Sequence, residues 1–197
     1  MSTINDIQMI NIDDMNLKKY KTYTFPYLTK AYRKHKLAKF DIYYNSTQFI
    51  KIYKKEKCEL DIFIKNNSYI FKKLCPAVTH LIYKNNVQLV GYITVLGKDL
   101  DNDKTWGLGS KFHPQYFLNF LDINKDILLK LLHEKHYYYG DLKRKNVIVF
   151  NDGGNPKYSF IDLENFLDIT KYSNPPVNYK ICGKHHWYVK EIIKYKK

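Results

Sequence analysis

Two segments of this chain each carry a pair of β-branched and aromatic runs about a short polar turn. That doubled pattern limits the fold more than any other feature. In residues 38–53, AKFDIYYNSTQFIKIY, the runs flank Asn45-Ser46-Thr47, and in residues 78–96, VTHLIYKNNVQLVGYITVL, they flank Lys84-Asn85-Asn86. Runs of this kind about turn-forming residues predict hairpins. Between them, residues 55–74 place Leu60, Phe63, Ile64, Ile70, Phe71 and Leu74 mostly three and four apart, which predicts a helix that Asn66-Asn67-Ser68 would break. Residues 114–135 predict a second helical stretch, with Phe117, Phe120, Leu121, Leu128, Leu131 and Leu132 on one stripe and Asp122-Ile123-Asn124 as its interruption. NVIVF (146–150) and KYSFIDL (157–163) then flank NDGGNP, a third hairpin signal. Hairpin, helix, hairpin, helix, hairpin is an α+β order. A boundary is expected after Leu96-Gly97, where the apolar strand gives way to the polar GKDLDNDKTWGLG.

The 197 residues have room for one domain or two small lobes. A hydrophobic share of 45% excludes intrinsic disorder, and no apolar run approaches the ~18 residues of a membrane span. The opening MSTINDIQMINIDDMN shows no basic region followed by an apolar core, so no secretory signal is expected. The net charge is +14, yet only Arg33 and Arg144 are arginine. Nucleic-acid readers lean on arginine for bidentate contacts. Lys, Asn, Ile, Tyr and Phe also share A/T-rich codons, so nucleic acid is possible as a partner but not favoured. Cys58, Cys75 and Cys182 are odd in number and far apart, which fits a reducing, cytoplasmic compartment rather than a disulfide framework. Cys182-Gly-Lys-His185-His186 looks like half a metal site, but no second cluster completes four ligands.

The chemistry-bearing segments are Tyr139-Gly140-Asp141-Leu142-Lys143-Arg144-Lys145-Asn146, ahead of the third hairpin, and Phe160-Ile161-Asp162-Leu163-Glu164, at its end. The D-x-K-x-x-N spacing suits a loop that turns three side chains toward one point. Here the sequence resembles the protein-kinase-like superfamily, whose catalytic loop H-R-D-L-K-x-x-N precedes two short strands and D-F-G. The resemblance covers roughly residues 38–165. It implies a two-lobed fold, with a small antiparallel-sheet N-lobe at about 20–96 and a truncated helical C-lobe at about 97–197. It implies ATP and Mg²⁺ as cofactors and transfer of the γ-phosphate to a hydroxyl, on a protein acceptor. Asp141 would accept the hydroxyl's proton, Lys143 would neutralise charge on the phosphoryl group, and Asn146 and Asp162 would offer hard oxygen ligands to Mg²⁺.

Upstream, Gln48-Phe49-Ile50-Lys51-Ile52-Tyr53 resembles the family's V-A-I-K strand, which gives Lys51 to the phosphates, with Lys39 as rival. Glu59 is the candidate acid to pair with it, although the usual spacing falls near Asn67. Thr94, Val95 and Leu96 stand where the family's hinge would bond adenine. The chain departs from the pattern in several places. No glycine precedes Gly91, so a glycine-rich phosphate loop is absent, and TKAYRKHKLAK (29–39), with Lys30, Arg33, Lys34 and Lys36, takes its place. Tyr139 and Gly140 replace the loop's histidine and arginine, which argues against control by a phosphorylated activation segment. Glu164 replaces the glycine of D-F-G, and only 35 residues follow Asp162. Alternatives are a pseudokinase acting as a binding partner, a small-molecule phosphotransferase and a basic nucleic-acid-binding module.

Overall fold

The computed structural model describes residues 3–4, 7–22, 39–96, 114–143, 146–152, 155–178, 183–184 and 186–195. Among them the chain is mixed α+β, with a multistranded sheet and five helices. It divides into two compact units, one of Met1–Ser68 with Ala77–Leu96 and one of Tyr69–Pro76 with Gly97–Lys197.

The first unit holds β1 (Thr3–Ile4), β2 (Ile7–Asn11), β3 (Lys21–Thr22), β4 (Phe40–Tyr44), β5 (Gln48–Tyr53), β6 (Val78–Lys84) and β7 (Gln88–Val95), joined in one sheet in the order β1-β2-β6-β7-β5-β4-β3. The expected hairpins are β4–β5 and β6–β7. The first turns on Asn45, whose Oδ1 accepts from the N–H groups of Thr47 (2.8 Å) and Gln48 (2.7 Å). The second turns through Asn85 and Asn86, both left-handed at φ 51° and 58°, and is closed by Val87 N–H on the Lys84 carbonyl. Asparagine tolerates that conformation better than most side chains. The sheet is not antiparallel throughout, as the resemblance implied: β2 runs parallel to β6, with Ile10 opposite Ile82. A parallel partner arrives from distant sequence, so no local turn signal announces it.

The two faces of this sheet differ. Ile50, Ile52, Ile82, Val90 and Ile93 pack together on one face, beneath Ile10, Ile12, Met15, Leu17 and Tyr20. Cross-strand partners point to the same side, so Lys51, opposite Tyr92, lies on the other face with Leu81 and Tyr83. Helix α1 (Cys58–Asn66) packs there, and the Tyr83 hydroxyl donates to Oδ1 of its buried Asp61 (2.7 Å). Gly91 is required by close approach, because a Cβ at this position would stand 2.3 Å from the Lys51 carbonyl oxygen.

Both long helical segments break where asparagine interrupts the apolar stripe. Residues 55–74 divide into α1 and α2 (Ser68–Leu74), and Asn67 N–H and Nδ2 both close on the Phe63 carbonyl (3.0 Å each). Residues 114–135 divide into α3 (Pro114–Ile123) and α4 (Lys125–Lys135), and Asn124 Nδ2 closes on the Phe120 carbonyl (2.8 Å). An asparagine amide that takes a terminal carbonyl ends a helix without leaving that carbonyl unpaired.

In the second unit α4 ends at left-handed His136 (φ 62°) and leads into β8 (Tyr137–Tyr139). The hairpin β9 (Val147–Asp152)–β10 (Asn155–Phe160) follows, then β11 (Phe166–Asp168), which pairs with β8, and helix α5 (Trp187–Lys194). Phe160 centres an aromatic core: Tyr139 stacks on it at 4.0 Å and Phe120 meets it edge-on at 4.9 Å. Leu121, Leu128, Leu131 and Leu132 are buried as their stripe predicts, while the Phe117 side chain lies outside the described residues. No described helix is long and apolar enough to cross a membrane.

Candidate active site

The pairing of β8 with β11 and of β9 with β10 brings the two chemistry-bearing segments together in the second unit. The loop after Tyr139 folds on itself: Lys143 N–H bonds the Asp141 carbonyl (2.8 Å) and Asn146 N–H bonds the Lys143 carbonyl (2.9 Å). Arg144 and Lys145, between them, lie outside the described residues.

Asp141 is gripped on both carboxylate oxygens. Oδ1 accepts from Asn178 Nδ2 (2.8 Å), and Oδ2 accepts from Asn146 Nδ2 (2.9 Å) and Lys143 Nζ (2.8 Å). Partial burial pushes this carboxyl's pKa up, but the bonds from Lys143, Asn146 and Asn178 and the Lys143 charge outweigh it, leaving the pKa below the usual 3.8. Three donors on roughly four lone-pair sites leave one direction for another partner.

Asn146 is 1% exposed. Its Nδ2 donates to the Asp141 carbonyl as well as the carboxylate (2.9 Å each). Both partners only accept, so the amide's orientation is settled by its surroundings. Its Oδ1 is consequently turned away from them, buried, and without a hydrogen-bond partner among the described residues. Leaving such an acceptor dry costs about 1–3 kcal/mol. A hard cation is the kind of partner that an orphaned amide oxygen beside a carboxylate fits.

The Asn146 carbonyl accepts from Ile161 N–H (2.8 Å), which sets Asn146 beside the residue before Asp162. Asp162 is left-handed, at φ 56° and ψ 58°, and its carbonyl takes both the N–H and Nδ2 of Asn165 (3.0 Å each). A non-glycine residue held there costs on the order of 1 kcal/mol or more and marks a place where the surroundings dictate the backbone. Tyr139 makes the connection between the two segments. It is fully buried, its hydroxyl donates to the Ile161 carbonyl, and its N–H bonds the Tyr188 hydroxyl of α5 (2.9 Å). Burial, reinforced by the Asp162 charge, holds its phenol well above the ordinary pKa. Tyr139 is therefore a strut between the loop and the hairpin end.

In the first unit Lys51 is 2% exposed, with Nζ 4.3 Å from the Phe40 ring centroid and 5.5 Å from that of Tyr53. Aromatic faces stabilise an ammonium held out of water. Its rival Lys39 is exposed in a turn, where its carbonyl receives Lys54 N–H (2.9 Å). Glu59 is exposed on the first turn of α1, and the buried acid of that helix is Asp61. Thr94 is buried in β7 opposite Phe49 and Val78. Val95 ends β7 and Leu96 follows it. Val95 N–H is spent on the Ala77 carbonyl (2.9 Å) and Leu96 N–H on the Thr47 carbonyl (2.7 Å). Lys30, Arg33, Lys34, Lys36 and the segment after Leu96 lie outside the described residues.

Cys182 and His185 also lie outside them, and His186 is otherwise engaged: its Nδ1 accepts from Tyr188 N–H (3.3 Å) as the N-cap of α5. Among the described residues no three His, Cys, Asp or Glu side chains converge as a metal site. Sequence reasoning missed Asn178, which reaches Asp141 from 37 residues downstream with no motif to mark it. No protein-family model matches the chain, and no curated protein matches it.

Proposed function

We infer that the Asp141 loop is a phosphoryl-transfer site, in a chain of the two-lobed protein-kinase-like kind, passing the γ-phosphate of ATP to a hydroxyl on a protein acceptor. The observation that carries this reading is the buried, unpartnered Oδ1 of Asn146 next to a carboxylate held by three donors.

Each residue has a role its surroundings support. Asp141, kept ionised by its donors, presents its remaining acceptor direction to the incoming hydroxyl, orienting it and taking its proton as the new bond forms. A depressed pKa makes it a weak base, which suits a reaction dominated by positioning and charge neutralisation. Lys143 spends one of its three ammonium donors on Asp141, leaving others for phosphoryl oxygens. Asn146 Oδ1 and the Asp162 carboxylate would hold Mg²⁺, which supplies neutralisation of phosphate charge. Lys51 is the proposed phosphate-binding lysine, set apart from the exposed Lys39 by its burial against the Phe40 and Tyr53 rings.

The test is thermal unfolding with Mg²⁺·ATP, wild type beside Asp162→Ala. At 100 times its dissociation constant a nucleotide that binds only the native state adds about 2.7 kcal/mol. A Mg²⁺-dependent rise in Tm that is lost in Asp162→Ala is expected. No rise in either protein across a wide ATP range contradicts an active phosphotransferase and leaves the pseudokinase reading.

A further inference from the structure

The geometry points to Asn178 as the positioning residue for Asp141, held in place by a strap, Pro176-Val177-Asn178, that is built into the fold. This rests on the phosphotransferase reading above and goes beyond it by assigning how the carboxylate is aimed.

The strap lies directly along the loop. Asn178 N–H bonds the Gly140 carbonyl (2.8 Å) and Leu142 N–H bonds the Asn178 carbonyl (3.1 Å), forming a parallel bridge at Asp141. The Tyr138 hydroxyl reaches the Pro176 carbonyl (3.2 Å). Gly140 is what permits the approach: a Cβ there would stand 2.9 Å from the Pro176 carbonyl oxygen, 3.0 Å from Leu167 Cδ1 and 3.2 Å from the Tyr138 ring. The glycine that departs from the family's arginine thus has a packing reason. With the backbone docked on both sides of Asp141, Asn178 Nδ2 meets Oδ1 at 2.8 Å. Lys143 and Asn146 take Oδ2, so the strap supplies the donor that stops the carboxylate from swinging about its bond. The docked backbone and the Asn178 amide thus complete the aim of Asp141 that Lys143 and Asn146 set from the other oxygen.

Three variants of the full chain test this. Asn178→Ala keeps both backbone bonds and removes the amide. Asn178→Asp keeps the shape and puts an acceptor against Asp141. Gly140→Ala lifts the strap from the other side. The activity readout is phosphate release from Mg²⁺·ATP, in which water takes the place of the acceptor hydroxyl and ADP is the leaving group, expressed per nucleotide-binding site so that unfolded protein does not count. A misaimed base lowers kcat by roughly 10- to 100-fold, with KM for Mg²⁺·ATP unchanged, in all three. A purely architectural strap would leave kcat per site at the wild-type value, and that result overturns the proposal.

A second readout needs no activity. In the wild type the Asn178 side-chain amide should give NMR signals displaced from those of a free amide, and Asp141→Ala should return them. Signals already at the free-amide position overturn the contact itself. Displaced signals in a wild type that releases no phosphate overturn the phosphotransferase reading, and with it the catalytic purpose of Asn178, while the contact stands.

Discussion

Asp61 and Asp141 are two carboxylates that each take side-chain donors on both oxygens, a lysine ammonium among them, in different surroundings. Asp61 takes the Tyr83 hydroxyl on Oδ1 and Lys65 Nζ on Oδ2, both at 2.7 Å. Asp141 takes an amide on Oδ1 and an amide and an ammonium on Oδ2. Asp61 has two side-chain donors and Asp141 three, so a full set of donors is not what marks a structural carboxylate. Asp61 sits on a regular helix, and both of its partners belong to the elements packed there. Asp141 sits on an irregular loop, its donors come from separate segments, and beside it are an orphaned Asn146 Oδ1 and the left-handed Asp162. What distinguishes the candidate catalytic carboxylate is the company it keeps: a dry amide oxygen on one of its own donors and a left-handed backbone at the end of the adjoining hairpin.

That contrast can be broken from either side. The largest effect is expected at Asn146→Leu, which removes the orphaned oxygen and a donor to Asp141. Mg²⁺-dependent phosphate release should fall by on the order of 100-fold, the scale of losing metal-borne charge stabilisation. Asn67 provides the control. Its Oδ1 is also buried without a partner among the described residues, yet both of its donors serve only to end α1. Asn67→Leu should change stability and leave the Mg²⁺ response intact. Next, Lys51→Met replaces a buried ammonium with a chain of similar length. A KM for Mg²⁺·ATP raised about tenfold is expected, equivalent to about 1.4 kcal/mol.

Asp61→Ala should do the opposite, lowering stability by about 1–3 kcal/mol by orphaning the Tyr83 hydroxyl while kcat per folded molecule stays unchanged. Denaturant titration beside phosphate release reads both. The smallest effect is at Tyr83→Phe, about 1 kcal/mol at neutral pH, with a signature in alkali. Burial first, then the hydrogen bond and charge of Asp61, hold the Tyr83 phenol above the ordinary 10.0. An unfolded tyrosine loses its proton near pH 10 while folded Tyr83 keeps it, so unfolding releases a proton and stability falls as pH rises past that point. Tyr83→Phe should therefore lose stability less steeply above pH 10 than the wild type.

Much of this was legible in the chain because it is local. Asn45 and Asn85-Asn86 mark turns through their own side-chain and backbone chemistry, and Asn67 and Asn124 end helices by reaching back four residues. The spacing of Asp141, Lys143 and Asn146 survives as geometry for the same reason. What was not legible is non-local. The parallel β2–β6 pairing joins residues some seventy apart, at Gln8 and His80. Asn178 meets Asp141 only once β8, β9 and the strap are in place, and the need for glycine at Gly140 comes from a carbonyl 36 residues on. Local propensity carries no information about either. The engagement of the Val95 and Leu96 N–H groups is non-local too, since their partners, Ala77 and Thr47, come from other segments.

The most direct test of the central claim is the rate of phosphate release from Mg²⁺·ATP by wild type, Asp141→Asn and Asp61→Ala, each checked for its melting temperature. Asparagine keeps the shape of Asp141 and removes the base, so the account predicts a loss of about 10²- to 10⁴-fold at near wild-type Tm, with Asp61→Ala releasing phosphate at the wild-type rate wherever it is folded. Equal rates in wild type and Asp141→Asn would contradict it.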